Sequence, residues 1–208
     1  MGVTLEPDEA AQFSAADSLF GRMRPALREG SPVEITHASL GALRVWPREA
    51  VYAATTESLA SLCGDQAGAY RLRRLQGAEP PADASARPLE ELLWTAGFAG
   101  SAGRLVDGLD PTDLVELTQW PNLTRVPIEA HGMRLAALFR RYPSSIPLAA
   151  RRTGAGREEV HRFLSAAWCA GLARAVNRPD AETAVEPAAA DGGRADNVIE
   201  ALLRRLWG

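Results

Sequence analysis

Lysine is missing from this 208-residue chain; all 23 basic residues are arginine. That excludes chemistry built on a lysine: a Walker phosphate loop, a Schiff base or a kinase-type lysine. Cysteine is nearly missing too. Cys63 and Cys169 stand 106 positions apart, which makes neither a disulfide framework nor a zinc site. The longest apolar runs fall far short of the ~18–20 residues a bilayer span needs, so no membrane partner is expected. The first ten residues carry Glu6, Asp8 and Glu9 and no base. They lack the basic start of a secretory signal, and a cytoplasmic location is expected. Histidine is confined to His37, His131 and His161. His161 and Cys169 are more than two helical turns apart and could not share a metal without further donors. No Gly-x-Ser-x-Gly elbow and no glycine-rich phosphate loop occurs, so neither catalytic residues nor a cofactor are expected, and the chain reads as a non-enzyme.

Alanine is abundant, with 38 copies. Together with the arginine bias this points to a GC-rich bacterial genome. Because arginine is the only strong base available, an arginine cluster is weaker evidence for phosphate binding than usual. Charge is nevertheless segregated. Residues 1–126 carry 11 arginines against 17 acids, residues 127–178 carry nine against three, and residues 179–208 carry three against six. Such asymmetry suggests separate modules.

The first stretch reads as mixed α and β. Leu19, Phe20, Met23 and Leu27 share one face of a helix over 14–27, which Pro25 breaks or kinks. Val33–His37, Leu40–Trp46, Ala50–Ala54 and Tyr70–Leu75 alternate as strands, the second and third joined as a hairpin. Thr56 caps a short helix over 57–63, ended by Gly64. Its Cys63 reads as a core cysteine, since a helix C-terminus does not activate a thiol. A loop covers 77–87, and Pro88 opens a helix over 89–96. Gly97 to Gly108 reads as loose turns, and Leu114–Leu117 as a strand. Trp120-Pro121 offers a large stiff apolar surface, expected to pack at the junction with the next module.

From Met133 to Tyr142 a helix places Leu135, Leu138, Phe139 and Tyr142 on its apolar face; Pro143 stops it. Ser144 or Ser145 caps a short helix holding Pro147. Gly154 lies in a tight turn, and Arg157–Ala170 forms a longer helix with Val160, Phe163, Leu164, Ala167 and Trp168 in register. Gly171 has the place of a C′ glycine, and Leu172–Val176 alternates as a strand. This order, with Gly154 and the Ala170-Gly171-Leu172 exit, resembles a winged helix-turn-helix over residues 129–178. After Val176 the chain meets Asn177, Arg178 and Pro179, and a second wing strand is hard to find. The resemblance implies a DNA-binding or a protein-binding module. As a DNA module, Arg140, Arg141, Arg151 and Arg152 would meet phosphates, while Arg157, His161, Arg162 and Ser165 would face the groove. Glu158 and Glu159 on the same helix oppose an anionic duplex, which favours protein interaction.

Residues 179–195 lack large apolar side chains and read as a disordered linker. Residues 196–208 read as an amphipathic helical peptide with a stripe of Val198, Ile199, Leu202, Leu203 and Leu206, and Trp207 beside it. A helix this short is marginal alone and should fold only against something. The sequence therefore implies an α+β fold: a mixed domain at 1–126, a winged-helix-like module at 127–178, a tether and a terminal helix. The favoured expectation is a bacterial regulatory adaptor that holds protein partners through the terminal helix and the folded body. The alternative is a DNA-binding transcription regulator.

Overall fold

The computed structural model describes residues 12–82 and 85–178. The expected tether and terminal helix lie outside the described residues. Alternation between residues 33 and 74 builds an antiparallel sheet from β2 (Val33–His37), β3 (Gly41–Trp46), β4 (Val51–Thr55) and β5 (Tyr70–Arg74), with the two-residue β6 (Arg87–Pro88) at one edge. The strand order is β5-β2-β3-β4-β6. Pro88 cannot donate to a ladder, and an edge is where a strand tolerates it. Ile35 lies opposite both Leu43 and Leu72, and Val33 opposite Val45. Val33, Ile35, Leu43, Val45 and Tyr52 are buried on one face. The helices α1 (Leu19–Glu29), α2 (Leu59–Cys63) and α3 (Leu89–Ser101) belong to the same buried core. The fold is α+β.

Three local expectations need correction here. The first helix runs through Pro25 to Glu29, with Leu19, Phe20, Met23 and Leu27 buried as the spacing requires. The cap of α2 is Ser58, whose hydroxyl accepts from the Ser61 amide at 3.2 Å, rather than Thr56. The third correction is the largest. Helix α3 does not stop at Ala96 but continues through Gly97 and Gly100 to Ser101. Glycine reads as a breaker in sequence; here it is a contact surface. A methyl group on Gly97 would stand 2.7 Å from the Ser165 carbonyl oxygen and 2.8 Å from the Cys169 Cβ. Only hydrogen fits where these two backbones cross.

The second half contains α4 (Gly132–Arg141), α5 (Ile146–Thr153), α6 (Arg157–Cys169) and β9 (Ala173–Ala175). Gly154 and Gly171 adopt left-handed φ values of 79° and 71°, the turns expected of them. The strand that pairs with β9 comes from upstream. It is β8 (Val115–Leu117), antiparallel, with Val115 opposite Ala175. On its other side Val115 bridges Ser144, between α4 and α5. A further short pair, β1 (Gln12–Phe13) with β7 (Leu105–Val106), is parallel.

The charge boundary at residue 126 does not interrupt packing. One buried apolar cluster runs from Phe13 to Ala173. Trp94 of α3 meets Phe163 of α6 edge-on, 5.4 Å between ring centres, and Phe163 stacks on Phe139 of α4 at 6.2 Å. Trp94 is the tryptophan at this junction, with its indole N–H donating to the Pro127 carbonyl at 2.9 Å. Trp120, expected there, is 47% exposed. Tyr142 is also exposed. It follows the last residue of α4 with extended φ and ψ of −142° and 128°, so it leaves the helix before its ring can join the apolar face.

Candidate interaction surface

The arginines singled out in the sequence fall in two environments. Arg140 and Arg141 occupy the last turn of α4, and Arg151 and Arg152 the last turn of α5. Cations are favoured there, where the helix dipole presents its negative end. Pro143 and the turn at Gly154 fix both ends. All four arginines are exposed. Arg157 opens α6 and is exposed as well. Arg162 is different: it is half-buried, ion-paired with Glu129, and its guanidinium lies 5.5 Å from the Phe98 ring centre.

Helix α6 as a whole does not present a reading face. Its residues Val160, His161, Phe163, Leu164, Ser165, Ala166, Ala167 and Cys169 are all buried. The side expected to face a groove is covered by α3 and β7. His161 is 3% exposed. The Ser165 hydroxyl donates to the Arg104 carbonyl at 3.1 Å and accepts from the Val106 amide at 2.9 Å. Burial lowers the His161 pKa; a hydrogen bond with the Gly103 backbone acts against this. His161, Arg162 and Ser165 are thus parts of the core and its rim.

The exposed face of α4 and α5 is distinguished by arginine without acid. From Ala130 to Gly156 there are five arginines and no acid. Elsewhere among the described residues, eight arginines are in carboxylate ion pairs. Arg44 and Arg73 flank Glu34 at 2.9 and 2.7 Å, and Arg87 and Arg125 share the buried Glu91 at 2.8 and 3.2 Å. Arg74, Arg162, Arg174 and Arg178 complete the set, with Glu29, Glu129, Glu116 and Asp113. Arg134, Arg140, Arg141, Arg151 and Arg152 have no carboxylate partner among the described residues. Arg134, which sequence reasoning passed over, donates to the Thr153 carbonyl at 3.4 Å and so joins the first turn of α4 to the last turn of α5. Met133, 56% exposed, stands beside it, and Tyr142 closes the other end with Arg141 over its ring at 5.4 Å. The acid-free run was the sequence signal for this face.

Groups with a catalytic outline are committed to other bonds. His37 Nε2 lies 3.0 Å from Asp65 and Ser39 Oγ lies 3.4 Å from His37 Nδ1, superficially a triad. The Ser39 and Leu40 amides both donate to Nδ1, at 3.2 and 3.1 Å. That nitrogen has no lone pair left to activate the serine. The Cys63 thiol is buried and pushed up to about 12 by desolvation, which leaves it protonated and unreactive at neutral pH. His131 begins α4, but its Nδ1 meets Glu159 at 2.8 Å instead of capping the helix. An open cleft of about 230 Å³ lies among Phe13, Asp17, Asp65, Gly100 and Arg104. Among the described residues no three His, Cys, Asp or Glu side chains converge to hold a metal, and no helix is long and apolar enough to cross a membrane.

Comparison with protein-family models, with curated proteins and with solved structures finds no significant match.

Proposed function

We propose that the protein is a non-enzymatic regulatory adaptor of the bacterial cytoplasm, binding protein partners through its folded body and through residues 196–208. The observation that carries this reading is the burial of α6. We read α4, α5, α6 and β9 as a winged-helix-like unit whose remaining strand, β8, arrives from upstream. In such a unit the third helix is the one that enters a DNA groove. Here that helix is packed beneath α3, while the faces of α4 and α5 stay open. The unit is used as a platform. Val198, Ile199, Leu202, Leu203, Leu206 and Trp207 supply the apolar stripe of a helix-in-groove peptide, with leucine and tryptophan as anchors.

The arginines without a carboxylate partner among the described residues favour one second reading, a DNA-binding regulator using Arg140, Arg141, Arg151, Arg152 and Arg157; Arg162, expected to act with them, is held by Glu129. Two experiments separate the readings. Affinity capture from bacterial extract compares the full chain with its Leu202→Asp, Leu203→Asp variant. The adaptor loses its partner in the variant. Titration with duplex DNA at low salt shows weak binding without sequence preference. Tight, sequence-selective binding whose salt slope falls with Arg151→Ala and Arg152→Ala would establish the regulator instead.

A further inference from the structure

We infer that the α4–α5 face is a docking surface for an acidic amphipathic helical segment of another protein. This rests on the adaptor reading and names the kind of partner the folded body takes. Three observations converge on it. The first is charge without compensation. Five arginines face solvent with no acid between residues 130 and 156, whereas eight of the fifteen arginines elsewhere in the described chain have carboxylate partners. No carboxylate among the described residues completes this face. The second is exposed apolar surface among the charges. Met133 and Ala137 follow one another at i and i+4 on the exposed side of α4, with Arg140 at i+7, and Tyr142 is exposed just past the end of the helix. Methionine, tyrosine and arginine are the residue types enriched at protein interfaces. The third is extent. Helix α4 has ten residues, a length of roughly 15 Å. That matches two to three turns of a partner helix carrying leucines toward Met133 and glutamates toward the arginines.

The geometry disfavours two other occupants. A second copy would set arginines against arginines. A nucleic acid gains from arginine–phosphate contacts and also from helix N-termini, whose amides and dipole attract phosphate. Arg140, Arg141, Arg151 and Arg152 stand at helix C-terminal ends, where the backbone presents carbonyl oxygens.

The test uses the full chain and three probes: a labelled 20-residue peptide of Glu-Glu-Leu-Leu repeats, its Lys-Lys-Leu-Leu counterpart, and a 20-base-pair duplex. Anisotropy titration at low salt should show the glutamate peptide binding and the lysine peptide failing to bind. Replacing Arg140, Arg141, Arg151 and Arg152 together by Gln should weaken the glutamate peptide at least tenfold. Met133→Ser alone should weaken it about threefold. Replacing the same four arginines by Glu should reverse the preference, so that the lysine peptide binds; this outcome requires a folded protein and guards against a trivial loss. Unchanged affinity in the Gln variant overturns the inference. So does a duplex that binds more tightly than the peptide through the same arginines, or a dimer in sedimentation that dissolves when they are neutralised. The adaptor reading stands on the role of Leu202 and Leu203 in capture, and this inference on the arginines in peptide binding, so either can fail while the other holds.

Discussion

Arg73 and Arg140 are both exposed arginines, yet they belong to surfaces built on different rules. On the outer face of the sheet, Arg44 and Arg73 close on Glu34 from the two neighbouring strands, and their hydrogen bonds hold the Glu34 carboxyl below its ordinary range. There both arginines have a carboxylate within the surface itself. On α4 and α5, Arg134, Arg140, Arg141, Arg151 and Arg152 have no carboxylate partner among the described residues. Surface ion pairs contribute little to stability, so the difference matters little for folding. It matters for association, where an uncompensated field steers an oppositely charged partner and sets its orientation.

The two surfaces share one core, and the largest effects come from breaking it. Phe163 touches Trp94 on one side and Phe139 on the other. Phe163→Ala should cost ~3–5 kcal/mol, as for a fully buried aromatic. A denaturant melt followed at tryptophan should show a single transition moved to lower denaturant. Two resolved transitions would mean that the sheet region and the α4–α5 region are separately stable. A change below about 1 kcal/mol would mean that Phe163 is not the hinge of the packing described above.

Gly97→Ala should come next. Alanine favours a helix over glycine by ~1 kcal/mol, but the added methyl meets the Ser165 carbonyl, a backbone atom that cannot swing aside. Overpacking costs ~1–3 kcal/mol, and a net loss of stability is expected in the same melt. A stabilised variant would show that α3 and α6 are not locked at this crossing.

That crossing also marks where sequence reasoning ran out. Periodicity and caps placed β2 to β5 and the three later helices within a residue or two, because each carries its own signal: alternation, a proline stop, a glycine with left-handed φ. The extension of α3 carries none. Gly97 and Gly100 favour turns locally; Gly97 is helical against Ser165, Ala166 and Cys169 of α6, and Gly100 against Ser18 and Phe13, all far away in sequence. The pairing of β8 with β9 is similarly non-local, as are the two-residue strands β1, β6 and β7. His161 and Ser165, expected on the open face of α6, are buried because a polar side chain suits a surface or a satisfied core contact equally well. The arginines of α4 and α5 were legible, but which of them lacked carboxylates became visible only when the ion pairs of the others were placed.

A smaller, graded effect is expected from pH. Burial lowers the His161 pKa, partly opposed by the Gly103 backbone hydrogen bond; Arg157 lowers it further and Glu158 raises it. The unfolded chain takes up its proton near pH ~6.5, while the folded chain resists until a lower pH. His161 therefore contributes stability that is complete above that value and is lost as pH falls below it. Glu90, whose pKa is raised by burial, acts in the opposite sense. The melting temperature of the parent minus that of His161→Gln isolates the histidine and should decline on acidification. A flat difference would mean that the imidazole is solvated in the folded state.

The smallest effect on stability is expected where the effect on binding is largest. Glu34→Gln leaves Arg44 and Arg73 without a partner and should cost about 0.5–1 kcal/mol, the upper range for an exposed pair. Replacing Arg140, Arg141, Arg151 and Arg152 by Gln removes no ion pair among the described residues, so each change should fall within about 0.5 kcal/mol. The sign depends on two opposed terms. Each arginine gains from the helix C-terminus behind it, and each is repelled by the others. Both terms weaken with salt, but repulsion between arginines on different turns acts over longer distances. It is screened first, at a Debye length of about 10 Å in 0.1 M salt. The variant should therefore equal or exceed the parent in melting temperature at low salt, and any excess should vanish by about 0.5 M salt, well beyond that screening threshold. A variant several degrees less stable at every salt concentration would show that these arginines hold the helices together. The contrast with the paired sheet surface would then be one of partner type, side chain against backbone, and the α4–α5 face would have no charge to spare for another protein.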